Sequence, residues 1–282
     1  MQNLQILRRR IRSVQNTQKI TQAMQMVAGA KLRRSQGELV SFRPYAQRLE
    51  AITRRFLQAH PSLRHPLLEQ GKEGAPLGLI LISSDTGLCG TYNERVLGVA
   101  QQFLLENPSA VIVTIGKKGT RTLIRRGIHR AKEVLDWGGR YEPAKADPVA
   151  RWILELFFNG TVCCWWIASM QFISALRWKP TVEQFIPTVR PASEEVPEKI
   201  IVEPDLERVS DDLLRRFNAA QFRRVVLEAF TSEHSARMIA MKNATDNAAE
   251  MIEHLTLVRN KARQAAITKE LIEVVSGAQA LT

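Results

Sequence analysis

Cysteine is scarce: Cys89, Cys163 and Cys164 are the only three in 282 residues. Two of them are adjacent, a spacing that rarely bridges, and the set builds neither a disulfide framework nor a metal-ligand spacing. A reducing compartment is the simplest setting. Histidine is sparse as well. His60, His65, His129, His234 and His254 show no metal-type spacing. His234 has no acidic residue three or four positions away, so a solvent-facing place on its helix is expected. Acidic residues are absent before Glu38, whereas Arg8, Arg9, Arg10 and Arg12 lie in that stretch. An Arg-rich, acid-free start is open to two readings, an organellar transit peptide or a basic helix of the mature chain. A secretory signal pattern is missing. Long apolar runs are missing too. The most apolar window, Trp152 to Leu176, is broken by Glu155, by Asn159-Gly160 and by Gln171. It reads as a helix ending at Asn159-Gly160 and a buried strand from Val162 to Ser169 rather than a membrane span.

What is present is positive charge, unevenly placed. The net charge is +12, which favours partners with negative surfaces: nucleic acid, a membrane or an acidic protein. From 1 to 60, twelve Lys and Arg stand against Glu38 and Glu50; from 205 to 282 the signs balance at eleven each. The excess therefore belongs to the N-terminus.

Three blocks follow along the chain. In the first, roughly 3 to 57, Leu4, Leu7, Ile11 and Val14 share a 3-4-3 spacing that Leu39, Phe42, Ala46, Leu49 and Phe56 resume. Between them the stripe thins to Gln18, Thr21, Met24 and Val27. This predicts one long helix, bent or interrupted near Pro44. The second block, about 76 to 203, carries the short apolar runs "LGLILISS" and "SAVIVTIG", with helix-compatible stretches between and after them. That alternation predicts βαβ units and a mostly parallel sheet covered on both faces. The third block has neither proline nor glycine from Asp205 to Ser276. One continuous helix of that length would run about 105 Å at 1.5 Å per residue, with Gly277 as its stop. Met241, Ala244, Ala248, Met251, Leu255, Val258, Ala262 and Ala265 alternate 3 and 4 apart, a coiled-coil seam. The N-terminal helix is the available partner. The predicted fold is α/β: a long antiparallel coiled coil of the terminal helices (1–60 and 204–282) with a Rossmann-like α/β domain (76–203) inserted.

Candidate chemistry is thin. "SSDTGLCGTYN" (83–93) joins a strand to a helix where α/β proteins often bind phosphate. It has neither the G-x-x-x-x-G-K-[ST] nor the G-x-G-x-x-G spacing, and "GKKGTR" (116–121) falls short in the same way. Tight turns are the expectation there. Cys89 beside Asp85 reads as a small buried thiol. "SARMIAMKNATDN" (235–247) crowds Arg237, Lys242, Asn243, Thr245, Asp246 and Asn247 together, either an active site or the wet face of a helix. The pairs Glu233/Arg237 and Lys242/Asp246 have the i,i+4 spacing that supports a helix. Met238, Met241, Ala244 and Ala248 are then directed at the partner, with Arg237, Lys242 and Asp246 outward. A nucleic-acid-binding coiled coil and an α/β enzyme with a helical arm remain alternatives. The basic helix has no interleaved aromatics before Phe42, and no triad, carboxylate pair or metal cluster stands out.

The stretches "RRRIRSVQNTQKITQAMQMVAGAKLRRSQ" (8–36), "SSDTGLCG" (83–90), "SEHSARMIAMKNATDNAAEMI" (232–252) and "LVRNKARQAAITKELIEVVSGAQAL" resemble the gamma subunit of F-type ATP synthases. The resemblance starts at the first residues, which argues for the basic helix over a transit peptide. It implies a non-catalytic central rotor shaft without a cofactor of its own. Its partners would be the alpha and beta subunits of the catalytic ring, the epsilon subunit and the membrane c-subunit ring. Neither nucleic acid nor direct membrane insertion is implied. The place implied is peripheral, on the cytoplasmic face of the bacterial plasma membrane. Carried over residue by residue, rotor–stator contacts fall on Met24, Arg237, Arg263, Gln264 and Thr268. As an outward residue, Arg237 should tolerate alanine at a folding cost below about 0.5 kcal/mol. The nearly uncharged tip "EVVSGAQALT" suits an apolar bearing. The link "RPASEEVPEKIIVEP" is too short for the redox insert of the chloroplast form, so Cys163 and Cys164 are not that switch.

Overall fold

In the computed structural model, residues 2–128, 132–190 and 200–279 are described. Two long helices, α1 (Gln2–Ala59) and α5 (Leu206–Gln279), flank a sheet of β1 (Leu77–Ile82), β2 (Val111–Ile115), β3 (Lys132–Val134), β4 (Cys164–Ser174) and β5 (Arg177–Ile186). The helices α2 (Tyr92–Glu106), α3 (Lys117–Arg125) and α4 (Pro143–Phe158) connect the strands. The chain forms two compact units, Gly29–Arg237 and Met1–Ala28 with Met238–Thr282. Their boundaries cut both long helices, and so differ from the three blocks drawn on the sequence.

The larger unit holds the sheet, in the order β3-β2-β1-β4-β5. The first four strands are parallel and β5 joins β4 antiparallel. The apolar runs are continuous because each face has its own core. Ile80, Ile82, Val113, Ile115, Trp165 and Ile167 point into one cluster with α4, the end of α1 and the first half of α5. Leu79, Leu81, Ile112, Ala168 and Met170 point into the other, with α2 and α3. This is the period-2 alternation of a strand buried on both sides. The sequence reading missed β5, since Pro180 and a half-exposed face disguise it. As an edge strand paired only with β4, it tolerates a residue without an N–H.

Trp165 is fully buried in β4 because its register partner is Gly78 of β1. A Cβ on Gly78 would lie 2.3 Å from the indole ring. The indole N–H donates to the Ile153 carbonyl at 3.1 Å. Gly78→Ala is expected to cost about 2 kcal/mol by overpacking, read as a lower urea midpoint; an unchanged midpoint would mean the ring moves aside freely.

α1 passes Pro44 as one helix, so no interruption occurs. Pro44 sits on the exposed face, where solvent can meet the carbonyl left without its donor. α5 likewise runs past Gly277 to Gln279. Glycine is only a weak stop when no other feature ends the helix. The two helices are antiparallel in the larger unit: the Arg223 guanidinium lies 4.5 Å from the Phe42 ring centre, while Tyr45, later in α1, is the neighbour of Arg216, earlier in α5.

In the smaller unit, α1 buries Leu7, Ile11, Thr21 and Ala28, with Val27 exposed in place of the expected seam position. On α5 the seam shifts by one at alternate positions from Met251 on. Met241, Ala244, Ala248, Leu255 and Ala262 stay in it, joined by Thr245, Ile252, Arg259 and Ala266, while Met251, Val258 and Ala265 are exposed. Thr245 enters because its hydroxyl meets that of Thr21 at 2.8 Å, a polar pair within the seam. Residues 191–199 of the link and 280–282 of the tip fall outside the described residues. No described helix is long and apolar enough to cross a membrane.

Candidate functional site

Strands β2 and β3 lie on one side of β1 and β4 on the other, so the direction of winding reverses between β1 and β4. In open α/β sheets the crevice at the carboxyl ends of such strands is where ligands bind. In this chain the crevice receives α5. Residues 231–237 of that helix are buried one after another, on every side of the helix.

The turn after β1 is built from its own side chains. Ser84 N–H donates to the Asn93 Oδ1 at 3.1 Å, and Asn93 Nδ2 donates to the Ser84 hydroxyl at 2.8 Å and to the Cys89 sulfur at 3.1 Å. Burial pushes the Cys89 thiol up, despite its hydrogen bond with Ser84 and the nearby Arg237. An activated nucleophile needs the opposite shift. Asp85 accepts from the backbone N–H of Lys117 (3.2 Å), Asp136 (3.2 Å) and Gly138 (3.0 Å). A carboxylate of the chain itself thus takes the N-terminal amide of α3, the place where related folds hold phosphate.

Arg237 closes the crevice. Its Nη2 sits 2.8 Å from Glu233 Oε1 and donates to the Thr86 carbonyl (3.1 Å) and hydroxyl (2.9 Å), while Nε donates to the Gly87 carbonyl (3.3 Å). Arg237 is 9% exposed. The expectation of an outward arginine is therefore corrected. A guanidinium has five donors in a rigid fork, and the carbonyls of the β1 turn lie within its reach. Burial raises the Glu233 carboxyl above its usual range even with Arg237 beside it.

His234 is corrected as well: it is 2% exposed. Nε2 donates to the Gly139 carbonyl at 2.8 Å, and Nδ1 has no hydrogen-bond partner among the described residues. A Cβ on Gly139 (φ 72°) would come within 2.6 Å of the ring, so only glycine fits beneath it. Burial, followed by nearby Arg237 and Lys31, lowers this imidazole to about 4 against the pull of its Gly139 bond. The helix pattern could not reveal this partner, which lies 95 positions away in a loop.

The other carried-over residues are in the smaller unit. Met24 is half-buried on α1, and Arg263, Gln264 and Thr268 are exposed on α5. At about 100° per residue the last three share one side of their helix. They are not brought together with Met24: Thr245, which meets Thr21, precedes Arg263 by about 27 Å of helix. Lys242 and Asp246 are outward, as the spacing predicts.

A family model described as ATP synthase matches residues 3–281. The ATP synthase gamma chain of Moorella thermoacetica is 41% identical over 282 residues, covering all of both chains. That of Symbiobacterium thermophilum is 40% identical over 285 residues, with 99% of each covered. The chain belongs to the ATP synthase gamma chain family. A fold likeness accompanies this gamma chain identity. A chain of the Euglena gracilis mitochondrial ATP synthase rotor superposes with a TM-score of 0.68 at 18% identity, over 94% of this chain and 99% of that one. A chain of the Tetrahymena thermophila mitochondrial ATP synthase central stalk and c-ring gives 0.60 at 20% identity, over 80% and 99%. These two speak for the gamma chain fold alone. In this family member the crevice that could have held a nucleotide is closed by the chain's own helix.

Proposed function

We propose that the chain is the central rotor shaft of an F-type ATP synthase, coupling ion flow through the membrane sector to ATP synthesis or hydrolysis in the catalytic ring. The full-length identity to bacterial gamma chains carries this reading. The shaft is a non-catalytic subunit. It works as a rotating ligand: each orientation must favour one conformation of the neighbouring catalytic subunit, or rotation does no work. Its partners are the alpha and beta subunits, the epsilon subunit and the membrane c-ring. Its place is peripheral, on the cytoplasmic face of the bacterial plasma membrane. The positive excess in the first sixty residues favours acidic surfaces around α1.

Co-expression with alpha and beta subunits tests the assignment. A complex should form in which ATP hydrolysis turns this chain; a chain that stays out of the complex overturns the reading. Met24, Arg263, Gln264 and Thr268 are proposed as rotor–stator contacts. Arg237 serves coupling from inside, by holding the β1 turn to α5. Replacing Arg263, Gln264 and Thr268 together by alanine should leave the unfolding free energy from urea curves within about 0.5 kcal/mol of the parent, since all three are exposed. ATP synthesis in inverted vesicles should drop several-fold. Full synthesis by a normally assembled variant removes these three from the contact set.

A further inference from the structure

Apolar packing alone does not stop a helix from turning about its own axis, because the hydrophobic effect is non-directional and depends on area. Hydrogen bonds are directional and fail within a fraction of an ångström beyond their range. The buried stretch 231–237 of α5 sends such bonds to four different parts of the α/β domain. Ser232 donates its hydroxyl to the Met170 carbonyl at 3.3 Å, where β4 has run past its pairing with β1. His234 donates to the Gly139 carbonyl, Ser235 to the Ala175 carbonyl in the β4–β5 turn, and Arg237 to Thr86 and Gly87. One bond returns, from the Tyr92 hydroxyl to the Ala229 carbonyl at 3.1 Å.

At about 100° per residue these four side chains leave the axis at roughly 0, 200, 300 and 140° from Ser232, so no gap exceeds about 140°. Turning the helix by about 30° would move atoms roughly 5–6 Å from its axis by about 3 Å, enough to break the bonds of all four side chains at once. Five of the six acceptors are backbone carbonyls, which rotamer changes cannot carry along; the sixth is the Thr86 hydroxyl. We propose that Ser232, His234, Ser235 and Arg237 are positioning residues that key α5 into the domain like a splined shaft in a hub. Torque entering through the α/β domain is thereby handed to the unbroken helix at this collar. The inference rests on the rotor reading and locates within it the step from domain to helix.

The test is torsional stiffness, read from the angular fluctuations of a bead on the stalled, fully assembled complex. The double variant Ser232→Ala/Ser235→Ala removes two of the six bonds and should retain about two thirds of the parent's stiffness, as parallel springs of similar strength would. Thr231→Ala is the control. Thr231 is as buried, but its hydroxyl bonds only the Leu227 carbonyl of the same helix, at 2.7 Å, so its loss should leave stiffness at the parental value. Parental stiffness in the double variant, or equal softening in the control, overturns the proposal. A parent complex that shows no rotation at all overturns the rotor reading instead. Urea midpoints of both variants, measured alongside, separate a loss of stiffness from a loss of folded protein, and softening that merely tracks the midpoint also counts against the collar.

Discussion

Arg237→Ala is expected to cost roughly 3 kcal/mol of folding stability at pH 8, because it strands a buried carboxylate. Glu233 keeps only 5% of its side chain exposed and has Arg237 as its ion-pair partner. The Thr86 and Gly87 carbonyls lose donors in the same step. Sequence spacing alone predicted a surface substitution costing less than about 0.5 kcal/mol, so a chemical-denaturation curve separates the two readings plainly. The pH dependence carries a further signature. Burial already raises the Glu233 carboxyl above 4.5 in the folded chain, and Arg237 opposes that rise. Without the arginine the folded-state value climbs further. Over the window between the unfolded and folded values the folded state holds a proton that the unfolded state has lost. Stability of the variant therefore falls as pH rises through that window, and the cost of Arg237→Ala should be smaller at pH 5 than at pH 8. Glu233→Gln removes the charge; in that background Arg237→Ala should lose most of its effect, giving a large coupling term in the double-mutant cycle. Equal costs in both backgrounds would assign the loss to packing.

The same two residues show what sequence can and cannot deliver. Local patterns were legible wherever one physical rule dominated. The runs at 77–84 and 109–116 predicted buried strands, and the span without glycine or proline predicted a long helix; β1, β2 and α5 lie there. Asn159-Gly160 did end α4, with Gly160 at a positive φ. The long terminal motifs identified the family. What stayed hidden depends on residues far apart in the chain. The i,i+4 spacing of Glu233 and Arg237 was read correctly as an ion pair, yet spacing says nothing about burial, and an exposed pair and a buried one differ several-fold in energy. The seam on α5 departs from the apolar pattern at Met251, Val258 and Ala265, because apolarity alone does not fix which residues face the partner. Thr245 belongs there through its partner Thr21 on the other helix. Asp85 carries no signal in its sequence neighbourhood for its role as the acceptor for three amides, two of them more than fifty positions away. The phosphate-site likeness of "SSDTGLCG" was a true statement about topology. Its ligand is part of the same chain.

His234 should make the fold acid-sensitive over a defined window. Its imidazole titrates near 6.5 in an unfolded chain and is lowered to about 4 here, chiefly by burial. Between those values the unfolded state binds one more proton than the folded state, so stability is full above pH 6.5 and declines as pH falls toward 4. At 1.36 kcal/mol per unit the group accounts for roughly 3 kcal/mol across the window. The structural cause is specific: Nε2 is committed to Gly139, and a second proton must go to Nδ1, which has no acceptor among the described residues. Arg237 and Lys31 make that site still less hospitable to positive charge. Other groups titrate nearby, since burial raises Glu228 and Glu233 and these act in the opposite direction. The measurement is therefore a difference. Unfolding free energies of the parent chain and of His234→Gln, taken from urea curves at intervals from pH 7 to pH 4, should converge by about 3 kcal/mol as the acid end is approached. Glutamine cannot take up the proton, so the variant lacks this term whatever it loses in packing at pH 7. Two curves that stay parallel across the window would mean that the buried ring is protonated in the folded chain as easily as in the unfolded one, and the unpartnered Nδ1 would then need an acceptor that solvent supplies.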